Sequence, residues 1–122
     1  MRFISNQVHG VIDYALALAL IILPFVLGFQ ASSPIGHWLS VGAGAGLFLY
    51  SLFTGYSLSL QKMIPYGAHL VLDFVAGLVF LAAPFAFGFT GLVQTYYLVI
   101  GAAVIVVVLL SDPKDASMPA TT

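Results

Sequence analysis

Residues 9–29 read HGVIDYALALALIILPFVLGF, and residues 69–89 read HLVLDFVAGLVFLAAPFAFGF. The segments align without a gap at an offset of 60. His9/His69, Val11/Val71, Asp13/Asp73, Leu18/Leu78, Pro24/Pro84, Phe25/Phe85, Gly28/Gly88 and Phe29/Phe89 are identical. These 8 matches in 21 positions exceed the roughly two that shared apolar composition would produce. They also include His, Asp and Pro, which are rare in this chain. Beyond residue 29 a one-residue slip aligns Trp38/Tyr97, Leu39/Leu98, Gly42/Gly101 and Ala43/Ala102 more weakly. The chain is two copies of one unit.

Composition says what kind of unit it is. Only 6% of the 122 residues are charged and 61% are hydrophobic. A soluble domain carries roughly 25% charge to keep its surface hydrated, so a water-soluble monomer is excluded. A net charge of -1 leaves no basic field for nucleic acid. With no cysteine, disulfides, thiolate metal sites and iron–sulfur clusters are excluded as well. The lipid bilayer is the partner that composition demands.

The positions of the charges set the architecture. Residues 14–61 and 74–111 are uncharged, and each tract is long enough for two spans of about 20 residues with a turn between them. Gln30–His37 interrupts the first tract with Pro, Gly and polar residues, and Thr90–Thr95 interrupts the second more faintly. The expected fold is an all-α membrane protein of four transmembrane helices, at 8–29, 38–56, 68–89 and 95–111. They form two parallel-repeat hairpins, over 1–57 and 68–112, joined by a connection at 58–67 and followed by a loose tail at 113–122. The β-branched run Val104–Val108 suggests strands, but membrane strands alternate polar and apolar residues, and these tracts are apolar all round. Arg2, Lys62 and Lys114 all fall at one end of this layout, which predicts that both termini and the middle connection are cytoplasmic. Phe29, Trp38, Phe89, Tyr96 and Tyr97 are expected to form the outer aromatic belt. Arg2, the apolar run and Ala31-Ser32-Ser33 imitate a signal peptide. A cleaved leader would have no reason to share its pattern with residues 69–89, so the first helix is read as structural.

The motif His-x-x-x-Asp, an apolar run, then Pro-aromatic-x-x-Gly-Phe, given twice, resembles the SPW repeat family of small bacterial membrane proteins. The resemblance covers most of residues 8–112, including Thr54-Gly55-Tyr56 and Ile64-Pro65. Where the family's name spells Ser-Pro-Trp, this chain has Leu23-Pro24-Phe25 and Ala83-Pro84-Phe85. The resemblance implies an integral protein of the bacterial cytoplasmic membrane; it implies a topology more than an activity.

Four residues hold most of the chemical potential. His9 and Asp13 lie four apart, as do His69 and Asp73, so each pair shares one helical face. The simplest reading is a structural clasp near each helix start, where the dipole favours a carboxylate and a histidine can donate to it. Two sharper readings compete with it. An ionisable cluster in a membrane can carry protons or a small ion, and two imidazoles with two carboxylates suit Zn²⁺, Mn²⁺ or Fe²⁺, or, through the histidines, haem. Tyr50, Ser51, Thr54 and Tyr56 end the second helix as hydrogen-bond partners for such a cluster. Pro24 and Pro84 free the carbonyls of Leu20 and Phe80 and are read as kinks. Gly42 and Gly46 form a small-xxx-small face, while Gly77 and Gly101 are further close-packing positions. His37 beside Trp38 is read as interfacial. No nucleophile–base pair, phosphate loop or dinucleotide fingerprint is present. The expectation is a non-enzymatic protein with no cofactor that works through lipid and protein contacts, as an accessory subunit or homo-oligomer.

Overall fold

The computed structural model describes residues 4–54 and 64–111. Arg2, Tyr56, Lys62, Asp112, Lys114, Asp115, residues 58–63 of the expected connection and the expected tail lie outside them. Four long helices are present: α1 (Asn6–Val26), α3 (Pro34–Leu52), α4 (Tyr66–Phe87) and α5 (Gly91–Leu110). They contain 19 to 22 residues, or roughly 28–33 Å at 1.5 Å per residue, which matches a hydrocarbon core of about 30 Å. All four are apolar enough to cross a membrane, and the chain is an integral membrane protein. A single helical turn, α2 (Phe29–Ser32), stands between α1 and α3.

Each long helix begins two to four residues earlier than its apolar run suggests, and in α1 and α3 a capping hydroxyl sets the start. Ser5 Oγ accepts from the Val8 amide at 3.2 Å, and Ser33 Oγ accepts from the Gly36 amide at 3.0 Å with Pro34 at the first helical position. Ser33-Pro34, expected inside a turn, therefore opens a helix. Gly28 and Gly88 stop the first helix of each repeat, with φ of 72° and 69° that only glycine adopts freely.

Helix α1 packs on α3, and α4 packs on α5, as two hairpins. The faces that meet repeat at the offset of 60. His9, Asp13, Ala17, Leu20 and Pro24 are buried on α1, and His69, Asp73, Gly77, Phe80 and Pro84 are buried on α4. Their spacing of four, four, three and four follows one face of a 3.6-residue helix. Val11, Leu18, Ile22, Val71, Leu78 and Val79 are exposed on the other faces, where lipid would cover them.

Glycines permit the close approach inside each hairpin. A Cβ on Gly44 would stand 2.7 Å from the Ala17 carbonyl oxygen, and one on Gly101 would stand 2.9 Å from the Gly77 carbonyl oxygen. By contrast, a Cβ on Gly42 or Gly46 would meet nothing within 4 Å. Of Gly42, Gly44 and Gly46, the close-packing one within the chain is therefore Gly44, between the two expected.

This corrects the register of the repeat. Gly44 and Gly101 occupy equivalent places at an offset of 57, as do Ser33 and Thr90, the residues just before α3 and α5. The three extra residues of the first repeat fall in the turn α2. The matches at a one-residue slip were matches of composition.

The aromatics expected as a belt are largely interior. Phe29, Phe89, Tyr96 and Tyr97 are buried, and Trp38 alone of the five is exposed. Phe29 meets Tyr96 edge-on at 4.9 Å, and Phe80 stacks on Tyr97 at 4.6 Å. Both hydroxyls reach backbone or side-chain partners, as buried tyrosines require. Tyr97 donates to the Gly36 carbonyl at 2.5 Å. Tyr96 donates to Ser40 Oγ at 2.7 Å, and Ser40 donates in turn to the Leu20 carbonyl at 2.8 Å. That carbonyl is the one Pro24 deprives of its helical partner, so α3 supplies what α1 lacks. His37 is fully buried between the rings of Phe25 and Trp38, each 4.5 Å away.

Candidate functional site

The first turns of α1 and α4 bring His9, Asp13, His69 and Asp73 together at one end of the bundle. Nε2 of His9 lies 2.9 Å from Asp73 Oδ2 and 3.0 Å from Asp13 Oδ2. Nε2 of His69 lies 2.6 Å from Asp13 Oδ2 and 3.2 Å from Asp73 Oδ2. Two separate clasps have thus become one alternating quartet of two nitrogens and two oxygens. Its hydrogen-bonding contacts are exchanged between the repeats, His9 with Asp73 and His69 with Asp13. Both histidines are fully buried, and Asp13 and Asp73 are 3% and 4% exposed.

Hydroxyls at the ends of α3 and α5 determine which way the histidines face. Ser111 Oγ donates to the Val107 carbonyl at 2.6 Å, so its lone pairs are left for His9 Nδ1 at 2.7 Å. Thr54 Oγ1 donates to the Tyr50 carbonyl at 2.6 Å and is left to accept from His69 Nδ1, also at 2.6 Å. A Ser or Thr hydroxyl carries a single proton, so each imidazole bears hydrogen on Nδ1 and turns Nε2 to the centre. These supports are exchanged too. Thr54 ends repeat one and holds the histidine of repeat two, while Ser111 does the reverse. Short backbone links fix the arrangement: the Ile64 amide donates to the Phe53 carbonyl at 2.6 Å, and the Ile4 amide to the Leu110 carbonyl at 2.9 Å.

Symmetry breaks beside the carboxylates. Tyr50 donates its hydroxyl to Asp73 Oδ1, and at the offset of 57 its counterpart is Val107, which has no donor. The ring of Tyr66 also packs edge-on to His9 at 5.5 Å.

Of the sequence candidates, Tyr50 and Thr54 join the quartet, Ser51 is buried nearby without bonding to it, and Tyr56 lies outside the described residues. Ser111 was not anticipated. The signal for it was present, since it follows Thr54 by 57 residues, but the wrong gap placement hid the pairing. Pro24 and Pro84 sit near the far ends of α1 and α4, away from the quartet.

One ligand atom from each of the four residues lies within 4.8 Å of the others. The quartet edges of 2.6–3.2 Å are slightly below the roughly 3.3 Å between ligands in a tetrahedral site with 2.0–2.1 Å bonds. Binding a divalent ion there would widen these contacts and displace the protons that Nε2 donates to the carboxylates. Its two charges would be balanced by two carboxylates, which matters where an uncompensated charge is costly. The Nδ1–H bonds to Ser111 and Thr54 are the outer support that metal-binding histidines usually have.

No curated protein and no solved structure matches the chain. The model of the SPW repeat domain matches residues 7–111, the span that holds both hairpins and every residue of the quartet. The chain belongs to the SPW repeat family.

Proposed function

We propose that this small membrane protein is a non-enzymatic binder of a divalent transition-metal ion, held by His9, Asp13, His69 and Asp73. The convergence of four ligand atoms, with both imidazoles aimed inward by hydroxyls, carries the reading. Equilibration of the reconstituted protein with Zn²⁺, Mn²⁺ or Fe²⁺, then elemental analysis after desalting, tests it. One ion per chain is expected for the wild type, with loss of binding in Asp13→Asn/Asp73→Asn. A wild type that retains none of the three overturns it.

The same double variant separates a proton or ion path from metal holding. Flux in proteoliposomes that disappears in the variant, from protein that retains no metal, would favour the path.

A second reading concerns assembly. Gly42 is exposed with open space above it, which favours contact with another helix, in a homo-oligomer or as an accessory subunit of a larger membrane complex. Native mass spectrometry from nanodiscs should then show a multimer or a bound partner, and Gly42→Leu should reduce it; an exclusively monomeric wild type rejects it. The positive-inside pattern supports a bacterial cytoplasmic membrane with the quartet end inside. A reporter fused after residue 122 should be active only in the cytoplasm.

A further inference from the structure

A cavity of about 320 Å³ lies between the hairpins and is lined by all four long helices. It exists because small residues face it where larger ones would close it: Ala43 and Gly46 on α3, Ala76 on α4 and Ala103 on α5. Its walls are apolar except at one end, where His9, Asp13, Asp73 and Tyr50 meet it. An apolar cavity of roughly 150 Å³ already accepts benzene, and small-molecule sites begin near 300 Å³. The volume suits a substituted aromatic ring.

The polar end specifies what the ring must carry. Asp73 Oδ1 accepts the Tyr50 hydroxyl. Its counterpart, Asp13 Oδ1, has no hydrogen-bond partner among the described residues, because the position equivalent to Tyr50 is Val107. Both Tyr50 and Val107 line the cavity. Asp13 itself lines the cavity and meets the histidines through Oδ2, so Oδ1 is left to a donor from within the cavity, and the donor Tyr50 gives Asp73 is a hydroxyl on an aromatic ring.

We propose that this cavity binds one small lipophilic phenol, whose hydroxyl donates to Asp13 Oδ1 and whose ring lies against Leu16, Leu20, Phe80 and Ile100. The ligand does for Asp13 of repeat one what Tyr50 does for Asp73 of repeat two. Oδ1 is not the oxygen that faces the histidines, so the site does not depend on a bound metal.

The test compares 4-propylphenol with propylbenzene, which differ by the hydroxyl alone. Full-length protein in nanodiscs is titrated with each, with chelator and again with Zn²⁺, following the methyl resonances of Ile100 and Val107. Saturable binding of the phenol is expected, at least about tenfold tighter than propylbenzene, as a hydrogen bond to a charged group implies. Val107→Tyr fills the cavity and supplies the donor from the chain, so it should abolish phenol binding. Equal affinity for the two probes, or shifts that only track partition into lipid, overturns the proposal. The wild-type comparison stands even if the variant does not fold. Phenol binding in chelator separates this result from failure of the metal reading.

Discussion

Thr54 and Ser111 contribute little bulk, yet their hydroxyls determine which imidazole nitrogen faces the quartet. Removing either one frees Nδ1 and lets the ring turn. Thr54→Val and Ser111→Ala should each weaken metal binding about 10–100-fold, measured by competition with a chelating dye, while the helical circular dichroism stays unchanged. Tyr50→Phe leaves Asp73 Oδ1 without its donor and should lower stability by about 1.5–3 kcal/mol, read from thermal melts in nanodiscs. At this scale the sequence was half legible. The i, i+4 spacing placed His9 beside Asp13, and they do stand 3.0 Å apart. A helical period fixes neighbours on one helix only. Whether His9 would reach Asp73 depended on how closely α1 and α4 approach, which no spacing within either helix encodes.

Among the elements, α3 shows what a run of small residues does and does not determine. Gly42, Gly44 and Gly46 all look suited to close packing, and two of them share the familiar spacing of four. Only Gly44 meets the backbone of α1, because the buried face of α3 runs through Gly36, Ser40, Gly44 and Leu47. Gly44→Ala should push the hairpin apart and cost about 1–3 kcal/mol. Gly42→Ala should leave the stability of the monomer unchanged or slightly raised. Chemical denaturation in mixed micelles would separate the two. Reading the face from Ser40 would have identified Gly44, since a serine buried in lipid needs an acceptor and the acceptor it finds is the Leu20 carbonyl. The aromatics erred for a related reason. Tyr and Trp favour interfaces, but a tyrosine whose hydroxyl finds a partner can be interior, as Tyr96 and Tyr97 are.

For the whole molecule, two uncharged tracts were enough to make the four-helix membrane fold legible, because the bilayer allows few ways to satisfy a backbone without water. What stayed hidden was the three-residue difference between the repeats, since α2 adds a helical turn with no distinctive residue. The described chain begins and ends side by side, Ile4 against Leu110 and Ser111. The start of repeat two lies in the same way against the end of α3, Ile64 against Phe53 and Thr54. A circular permutant that joins the present ends and opens the chain between 54 and 64 should therefore fold. Retention of the wild-type melting temperature within a few degrees would confirm it, and loss of helical signal would refute it.

The exchange of Thr54 and Ser111 between the repeats has a further consequence. Neither hairpin owns a complete site, since each supplies the support for the other's histidine. Two identical hairpins would supply one another in the same manner, around a true two-fold axis. The single chain thus has the form of a fused homodimer, from which a separate subunit could be recovered. Once fused, its halves were free to differ, and the change they have made beside the carboxylates is a tyrosine in one and a valine in the other.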